Sequence, residues 1–192
     1  MDAFIEAIVI DPPASVVEER RRLGLDHGDE VWDGVIHLVP QPGTAHQMLA
    51  TDLLIALAPI ARSLGLECLY NLAVLDPVSG EKNYRRPDLV VFRREHVSER
   101  GIEGKAALVV EILSPDDETR DKMPFYAAVG VEEIWIIDPT RVCEVYVLRG
   151  TTYYAAFRGD DGAIRSPALG MTLRTVEGPR LQISWQGGAA LL

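Results

Sequence analysis

The stretch AALVVEIL at residues 106–113 has the composition of a buried β-strand, yet it carries a carboxylate at Glu111. Side chains alternate between the two faces of a strand, so Val109, Glu111 and Leu113 share one face of a segment that is apolar enough to be buried on both sides. Burying an ionised carboxylate is costly unless a metal ion, a cationic side chain or protonation offsets the loss of water. The position of Glu111 therefore indicates a functional site.

A second carboxylate, Asp88, lies at the start of another apolar strand in RRPDLVVF at residues 85–92. A neighbouring strand could bring Asp88 close to Glu111, and two such acids repel each other unless a cation lies near them. Oxygen ligands favour Mg²⁺ or Mn²⁺ over zinc, which usually takes Cys or His. The alternative is a buried Glu111 paired with Arg85 or Lys122 and no metal, since structural ion-pair networks also explain such acids.

The composition predicts one domain spanning residues 1–192. With 192 residues and 47% hydrophobic positions, the chain is long enough for one sizeable core. No run approaches the roughly 18 consecutive apolar residues of a membrane span, and the start MDAFIEAIVIDPP lacks the features of a signal peptide. We therefore expect a cytoplasmic protein without membrane contact. Cys68 and Cys143 lie in apolar stretches, which favours reduced core thiols over a disulfide or a zinc site.

The net charge of −10 argues against a protein that coats nucleic acid through a bulk positive field. The acidity is uneven, because residues 85–122 contain eight basic and nine acidic side chains and are almost neutral. We expect binding to any polyanion to be weak, salt-sensitive or assisted by a cation. Solubility alone explains most of the remaining acidic charge.

Hydrophobic periodicity predicts two main helices among several strands. The first begins with a capping box at Thr44 and Gln47, contains apolar residues at helical spacing up to Gly65, and has Pro59 as the site of a kink or break. The second follows Ser114-Pro115 and ends near Gly130. Strands are predicted as a hairpin around Asp33-Gly34 and at residues 66–75, 87–92, 106–113, 133–138 and 142–148. This order indicates a mixed α/β sheet rather than a regular βαβ winding.

Several motifs between residues 30 and 173 resemble one known family. Pro87-Asp88 is followed by a strand ending in glutamate, then by Ser114-Pro115, a helix containing Asp121-Lys122, and Gly-Val-x-Glu-x-Trp-x-x-Asp-Pro at residues 130–139. This order resembles the Uma-type family of the PD-(D/E)XK restriction-endonuclease-like superfamily. LVVEILSP and KMPFYAAVGVEEIWIIDP are its most specific parts, since Pro-Asp alone is ordinary turn chemistry. The resemblance implies a central mixed β-sheet flanked by helices, with an N-terminal β-hairpin and extra C-terminal strands.

The resemblance also implies a metal-dependent phosphodiesterase site. Asp88 and Glu111 match the two acidic ligands of the family, and Ile112 would supply a backbone carbonyl to the same Mg²⁺ or Mn²⁺ ion. The chain departs from the parent motif at Leu113, where the family strand carries a lysine. Lys122 is the expected replacement, because it matches a helix lysine of the family four residues before a tyrosine.

Five further residues are candidates for the site. Glu30 matches the glutamate of the family's hairpin and is either a third acid ligand or a side chain that is solvated or salt-bridged. His46 matches a family histidine and either contacts a phosphate or water, or only hydrogen-bonds near the helix start. Arg85 and Arg86 either contact nucleic-acid phosphates or are the solvated end of a strand. Tyr126 either lines the cleft or belongs to the core.

Two functions of different classes follow from these residues. The first is a Mg²⁺-dependent endonuclease that hydrolyses phosphodiester bonds in double-stranded DNA, as a homodimer because cutting a duplex needs two active sites. The second is a non-catalytic binding or regulatory module that keeps the nuclease fold. The acidic charge and the missing strand lysine favour the second, and the paired acids favour the first.

Overall fold

The computed structural model describes residues 7–9, 13–24, 26, 28–39, 41–114 and 118–192. Within these residues lie three α-helices: α1 (Ala14–Arg22), α2 (Thr44–Ser63) and α3 (Thr119–Val129). A short 3₁₀ turn spans Arg94–His96. The strands are β1 (Ala7–Val9), β2 (Glu30–Trp32), β3 (Val35–Leu38), β4 (Glu67–Tyr70), β5 (Val74–Asp76), β6 (Gly80–Arg85), β7 (Leu89–Phe92), β8 (Ile102–Glu103), β9 (Leu108–Ile112), β10 (Glu133–Ile137), β11 (Cys143–Arg149), β12 (Thr152–Ala155), β13 (Ile164–Ser166), β14 (Met171–Val176), β15 (Arg180–Trp185) and β16 (Gly188–Leu191).

The central sheet is mixed, as the sequence predicts. Its strand order is β12-β11-β10-β9-β7-β4, with β9 parallel to β10 and the other neighbours antiparallel. β7 and β9 pair with Leu89 opposite Val110. Extended by one residue, this register places Asp88 across from Glu111, so the sheet itself brings the two predicted acids together.

The two faces of the central sheet are covered by different elements. Leu108, Val110 and Ile112 pack with α2 and with the C-terminal sheet, whose order is β13-β14-β15-β16. Val109 packs on the other face with α3 and with strands of the N-terminal sheet. Because side chains alternate, Glu111 lies on this second face, under α3.

Helix α2 is the predicted core helix, but its start differs from the prediction. Its N-cap is Gly43, and no side chain caps the helix, so the predicted capping box of Thr44 and Gln47 is wrong. The Gln47 side chain donates to the Pro42 carbonyl at 3.1 Å instead. The helix runs through Pro59 without a break.

By length and composition alone, α2 is long and apolar enough to cross a membrane. Its residues Leu49, Leu53 and Leu57 are fully buried against the central sheet and the C-terminal sheet. Met48, in contrast, is 62% exposed. This one-sided burial is the arrangement of a core helix in a packed domain.

The N-terminal hairpin forms around Asp33 and Gly34, as predicted. Their φ angles of 49° and 90° are both in the left-handed region, which the primed two-residue turns require. The hairpin belongs to a larger sheet than expected, with the order β1-β3-β2-β6-β5-β8. β2 begins at Glu30, whose carboxylate contacts Lys122 of α3.

The strand predicted at residues 66–75 is wrong as a single element, because β4 belongs to the central sheet and β5 to the N-terminal sheet. Other local predictions are confirmed. α3 ends at Gly130, whose φ of 81° closes the helix in the left-handed conformation. Pro115, predicted to turn the chain before α3, lies outside the described residues, as do residues 1–6 and 10–12 of the segment examined for a signal peptide. Cys68 and Cys143 are free and buried, as predicted for core thiols.

Candidate active site

Asp88 lies just before β7, and both of its carboxylate oxygens have protein partners. Oδ2 accepts a hydrogen bond from the backbone N–H of Ile112 at 2.8 Å. Oδ1 lies 2.7 Å from Nε2 of His46, in the first turn of α2. The other ring nitrogen of His46 lies 3.4 Å from Oγ of Ser114. Asp88 is therefore oriented from two sides, by the end of β9 and by the start of α2.

The backbone of Ile112 presents its polar groups to Asp88. In an extended strand the N–H and C=O of one residue point to the same side. The Ile112 N–H points to Asp88, and the next N–H, from Leu113, points the opposite way and donates to the Ile137 carbonyl at 2.8 Å. The Ile112 carbonyl therefore lies on the side of the strand where the resemblance implies a metal ligand.

Glu111 is only 3% exposed and is held by two residues of α3. The Tyr126 hydroxyl donates to Oε1 at 2.6 Å, and Nζ of Lys122 lies 3.4 Å from Oε2. Lys122 and Tyr126 are four residues apart and share one face of the helix. The cation missing from the strand at Leu113 is thus provided by α3.

Glu30 anchors Lys122 from the opposite side. Its Oε1 lies 2.9 Å from Nζ of Lys122 and also accepts the backbone N–H of Arg86 at 2.8 Å. Its Oε2 accepts the indole N–H of Trp32 at 2.8 Å. Lys122 therefore bridges two buried carboxylates, and Glu30 is salt-bridged rather than solvated.

The site carries more negative than positive charge. Burial raises the pKa of Glu111 to about 8; Lys122 opposes the shift, and the charges of Asp88 and Glu30 add to it. Burial also raises the pKa of the Tyr126 hydroxyl well above its usual range, with the Glu111 charge as the next cause. Lys122 thus pairs with Glu30 and Glu111 while Asp88 adds a third carboxylate nearby, and a further cation would offset this excess of negative charge.

The chemistry of this donor set fits a hard divalent cation. Asp88, Glu111 and the Ile112 carbonyl offer only oxygen atoms, which Mg²⁺ and Mn²⁺ prefer. Within the part of the chain that the structure describes, no three His, Cys, Asp or Glu side chains form a ready metal cluster. Two carboxylates and a carbonyl suit an ion that keeps several of its own waters, as Mg²⁺ does.

The structure gives Arg85 a different place from the one predicted. Arg85 is 4% exposed, and its guanidinium lies 4.2 Å from the ring centroid of Trp32 and 4.3 Å from that of Phe125. A guanidinium enclosed between two rings cannot reach a phosphate in solution, so the predicted contact of Arg85 with nucleic acid needs correction. Arg86 is half-buried, and its Nε donates to the Asp29 carbonyl at 3.2 Å. Its contact with nucleic acid stays a prediction.

Two residues near the site were missed by the sequence analysis. Trp32 holds Glu30, and its position two residues later on the same face of β2 was an available signal. Tyr70, at the end of β4, is 42% exposed and pairs with Leu89, next to Asp88. Burial and the Asp88 charge raise the pKa of Tyr70. No signal pointed to Tyr70, because its place depends on the pairing of β4 with β7.

The fold and the paired acids define a protein of the restriction-endonuclease-like class. Residues 23–176 match the model of the Uma2 family, which is described as "Putative restriction endonuclease". The chain belongs to the Uma2 family, as the motifs between residues 30 and 173 indicate.

Two solved structures are similar to this chain, and the first of them has a similar fold. The chain is similar to the crystal structure of a protein from Anabaena variabilis ATCC 29413 described as "a putative nuclease belonging to DUF820", with a TM-score of 0.58 and 19% identity over 74% of this chain and 83% of that chain. A cryo-EM structure of a DrdV–DNA complex matches with a TM-score of 0.35 and 16% identity over 57% of this chain and 10% of that chain. Curated proteins give no match.

Proposed function

We propose that the protein is a divalent-metal-dependent endonuclease that hydrolyses phosphodiester bonds in double-stranded DNA. The observation that supports this most strongly is the meeting of Asp88 and Glu111 across β7 and β9, with Lys122 placed 3.4 Å from Glu111 by another element. This combination of two acids and one ammonium group is what metal-assisted phosphoryl chemistry requires. Membership of a family described as "Putative restriction endonuclease" supports the same function.

Each residue of the site has a distinct task. Asp88, Glu111 and the Ile112 carbonyl would hold the ion, which supplies Lewis-acid activation of a phosphoryl oxygen and of water. The ammonium group of Lys122 would stabilise the attacking water or the negative charge that develops on the phosphate. Glu30 fixes the ammonium group, His46 fixes Asp88, and these contacts keep the site preorganised.

The partner and the assembly follow from the chemistry of duplex cleavage. Two strands of opposite polarity must be cut, so we propose a homodimer with one site facing each strand. Arg86, beside the site, would contact a backbone phosphate. Because the net charge is −10, binding to DNA should depend strongly on divalent cations and weaken as salt rises.

The test combines cleavage with metal binding. Wild-type protein should nick or linearise supercoiled plasmid in Mg²⁺ or Mn²⁺, and calorimetry should show a saturable Mn²⁺ site. Asp88→Ala should lose both. Glu95→Ala is the matched control, because Glu95 is an exposed acid in the 3₁₀ turn after the far end of β7. Saturable binding that is equal in the Asp88→Ala variant would contradict the proposed metal site.

The second candidate function is a non-catalytic DNA-binding or regulatory module with the nuclease fold. The observation that favours it is Leu113 in the position where the parent motif carries its lysine, together with the strong acidity of the chain. This module would be indicated by wild-type protein that folds, binds DNA and cleaves neither plasmid nor short duplexes in either metal.

A further inference from the structure

Beneath Glu30, four side chains form a continuous stack: His37, Trp32, Arg85 and Phe125. The His37 and Trp32 rings are 4.2 Å apart with an interplanar angle of 15°. The Arg85 guanidinium carbon lies over the Trp32 ring, 4.2 Å from the ring centroid. Its other face meets the Phe125 ring at 4.3 Å. Aromatic and guanidinium planes attract one another in this arrangement.

The stack joins the elements that carry the site. His37 and Trp32 come from the hairpin β2–β3, Arg85 ends β6, and Phe125 belongs to α3. Phe125 directly precedes Tyr126 and follows Lys122 by three residues. The Arg85 guanidinium therefore sets the distance between the hairpin and α3. This distance in turn determines the contact between Glu30 and Lys122.

Among the residues that the structure describes, no acidic side chain contacts Arg85. Its Nη1 donates to neutral oxygens, namely the carbonyls of Val31 at 2.9 Å and Tyr84 at 3.1 Å, and the amide oxygen of Asn83 at 3.0 Å. Its Nε is buried and has no hydrogen-bond partner among the described residues. An apolar side chain would fill this space without the desolvation penalty of a charge. The buried guanidinium of Arg85 therefore has a role other than filling space in the core.

We propose that Arg85 is a positioning residue for Lys122, acting through Trp32 and Glu30. The Arg85 guanidinium packs on the indole of Trp32, and the indole N–H donates a hydrogen bond to Glu30 at 2.8 Å. Glu30 in turn forms an ion pair with the Lys122 ammonium group at 2.9 Å. Its charge also acts on Glu30 across the indole. The catalytic consequence rests on the proposed nuclease function, whereas the structural coupling does not.

The coupling is tested without metal or DNA. A double-mutant cycle of Glu30→Gln and Lys122→Met, followed by urea unfolding, measures the interaction between the two side chains. In an Arg85→Met background we expect this coupling to fall by roughly half or more. Arg120→Met is the matched control, because Arg120 lies on α3 but pairs with Glu144 outside the stack, and it should leave the coupling unchanged.

Two milder variants measure the same coupling if Arg85→Met folds poorly. Arg85→Lys keeps the charge without the plane, and Trp32→Phe keeps a stacked ring without the N–H donor to Glu30. Both should weaken the coupling between Glu30 and Lys122. Unchanged coupling in the variants that fold would overturn the proposal and leave Arg85 with a packing role only.

Cleavage kinetics provide a second, independent readout. Since Arg85 is buried, the Arg85→Lys variant should lower kcat by about tenfold while KM for DNA stays unchanged. A raised KM with unchanged kcat would instead indicate the phosphate contact that its burial argues against. If wild-type protein does not cleave DNA at all, the nuclease function fails, and the unfolding cycle still decides the role of Arg85.

Discussion

Replacing Glu111 with glutamine should remove a large pH dependence from the stability of the metal-free protein. The Glu111 pKa rises from its ordinary value of 4.5 to about 8, chiefly because of burial. The folded protein therefore retains this proton at pH values where the unfolded chain has released it. The stability contributed by Glu111 is fully present below pH 4.5 and is lost as the pH rises through about 8.

The size of the effect follows from the shift. Each unit of pKa difference corresponds to about 1.4 kcal/mol. Between pH 4.5, the ordinary pKa of the group, and pH 7, the metal-free wild type should lose about 3 kcal/mol of unfolding free energy through Glu111. The glutamine variant does not titrate and keeps an acceptor for the Tyr126 hydroxyl, so its stability should lack this slope.

The assay is urea unfolding in a chelator at pH values from 4.5 to 8, with the wild type compared with Glu111→Gln. Glu95→Gln, at an exposed site, is the control and should follow the wild type. Adding Mg²⁺ should reduce the slope of the wild type, because the ion stabilises the ionised carboxylate, and should leave Glu111→Gln nearly unchanged. Parallel curves for the wild type and Glu111→Gln in the chelator would refute the reasoning about Glu111.

Three further predictions concern the neighbours of the acids. Lys122→Ala should abolish plasmid cleavage, with Lys122→Arg rescuing poorly, while calorimetric Mn²⁺ affinity changes little; single-turnover cleavage at the wild-type rate would exclude a catalytic role for Lys122. Tyr126→Phe should lower the unfolding free energy by about 1–3 kcal/mol in urea at pH 8, since Glu111, which is partly ionised at this pH, loses a 2.6 Å hydrogen bond, and an unchanged midpoint would contradict this. Tyr70→Phe should keep the melting temperature but reduce kcat/KM for DNA severalfold, because the hydroxyl lies at the rim beside Asp88; equal kinetics would leave Tyr70 outside the substrate path.

The parts of the fold that the sequence predicts best are those with a local cause. Asp33-Gly34 adopts the turn it predicts because both residues tolerate positive φ. The capping box at Thr44 and Gln47 is wrong because Gly43 takes the capping position and Gln47 bonds to Pro42. The packing of the C-terminal sheet against the α2 face of the central sheet depends on contacts between distant segments, and no local pattern encodes it.

In the candidate site, too, some residues could be predicted from the sequence, whereas others depend on contacts between distant segments. Lys122 was predicted from the resemblance, because it matches a helix lysine of the family four residues before a tyrosine. In the structure Lys122 and Tyr126 both contact Glu111. Arg85 was misassigned because a charge beside a strand looks the same in sequence whether it is solvated or enclosed. Its place between Trp32 and Phe125 arises only when the hairpin and α3 meet at the end of β6.

The most direct test of the account is a crystal structure of the protein soaked in Mn²⁺, with anomalous data collected to locate the ion. The account predicts one strong peak at roughly 2.1 Å from oxygens of Asp88, Glu111 and the Ile112 carbonyl, and no peak there in crystals of Asp88→Ala. Ordered Asp88 and Glu111 side chains with no anomalous peak between them at saturating Mn²⁺ would contradict the metal site and the endonuclease function that depends on it.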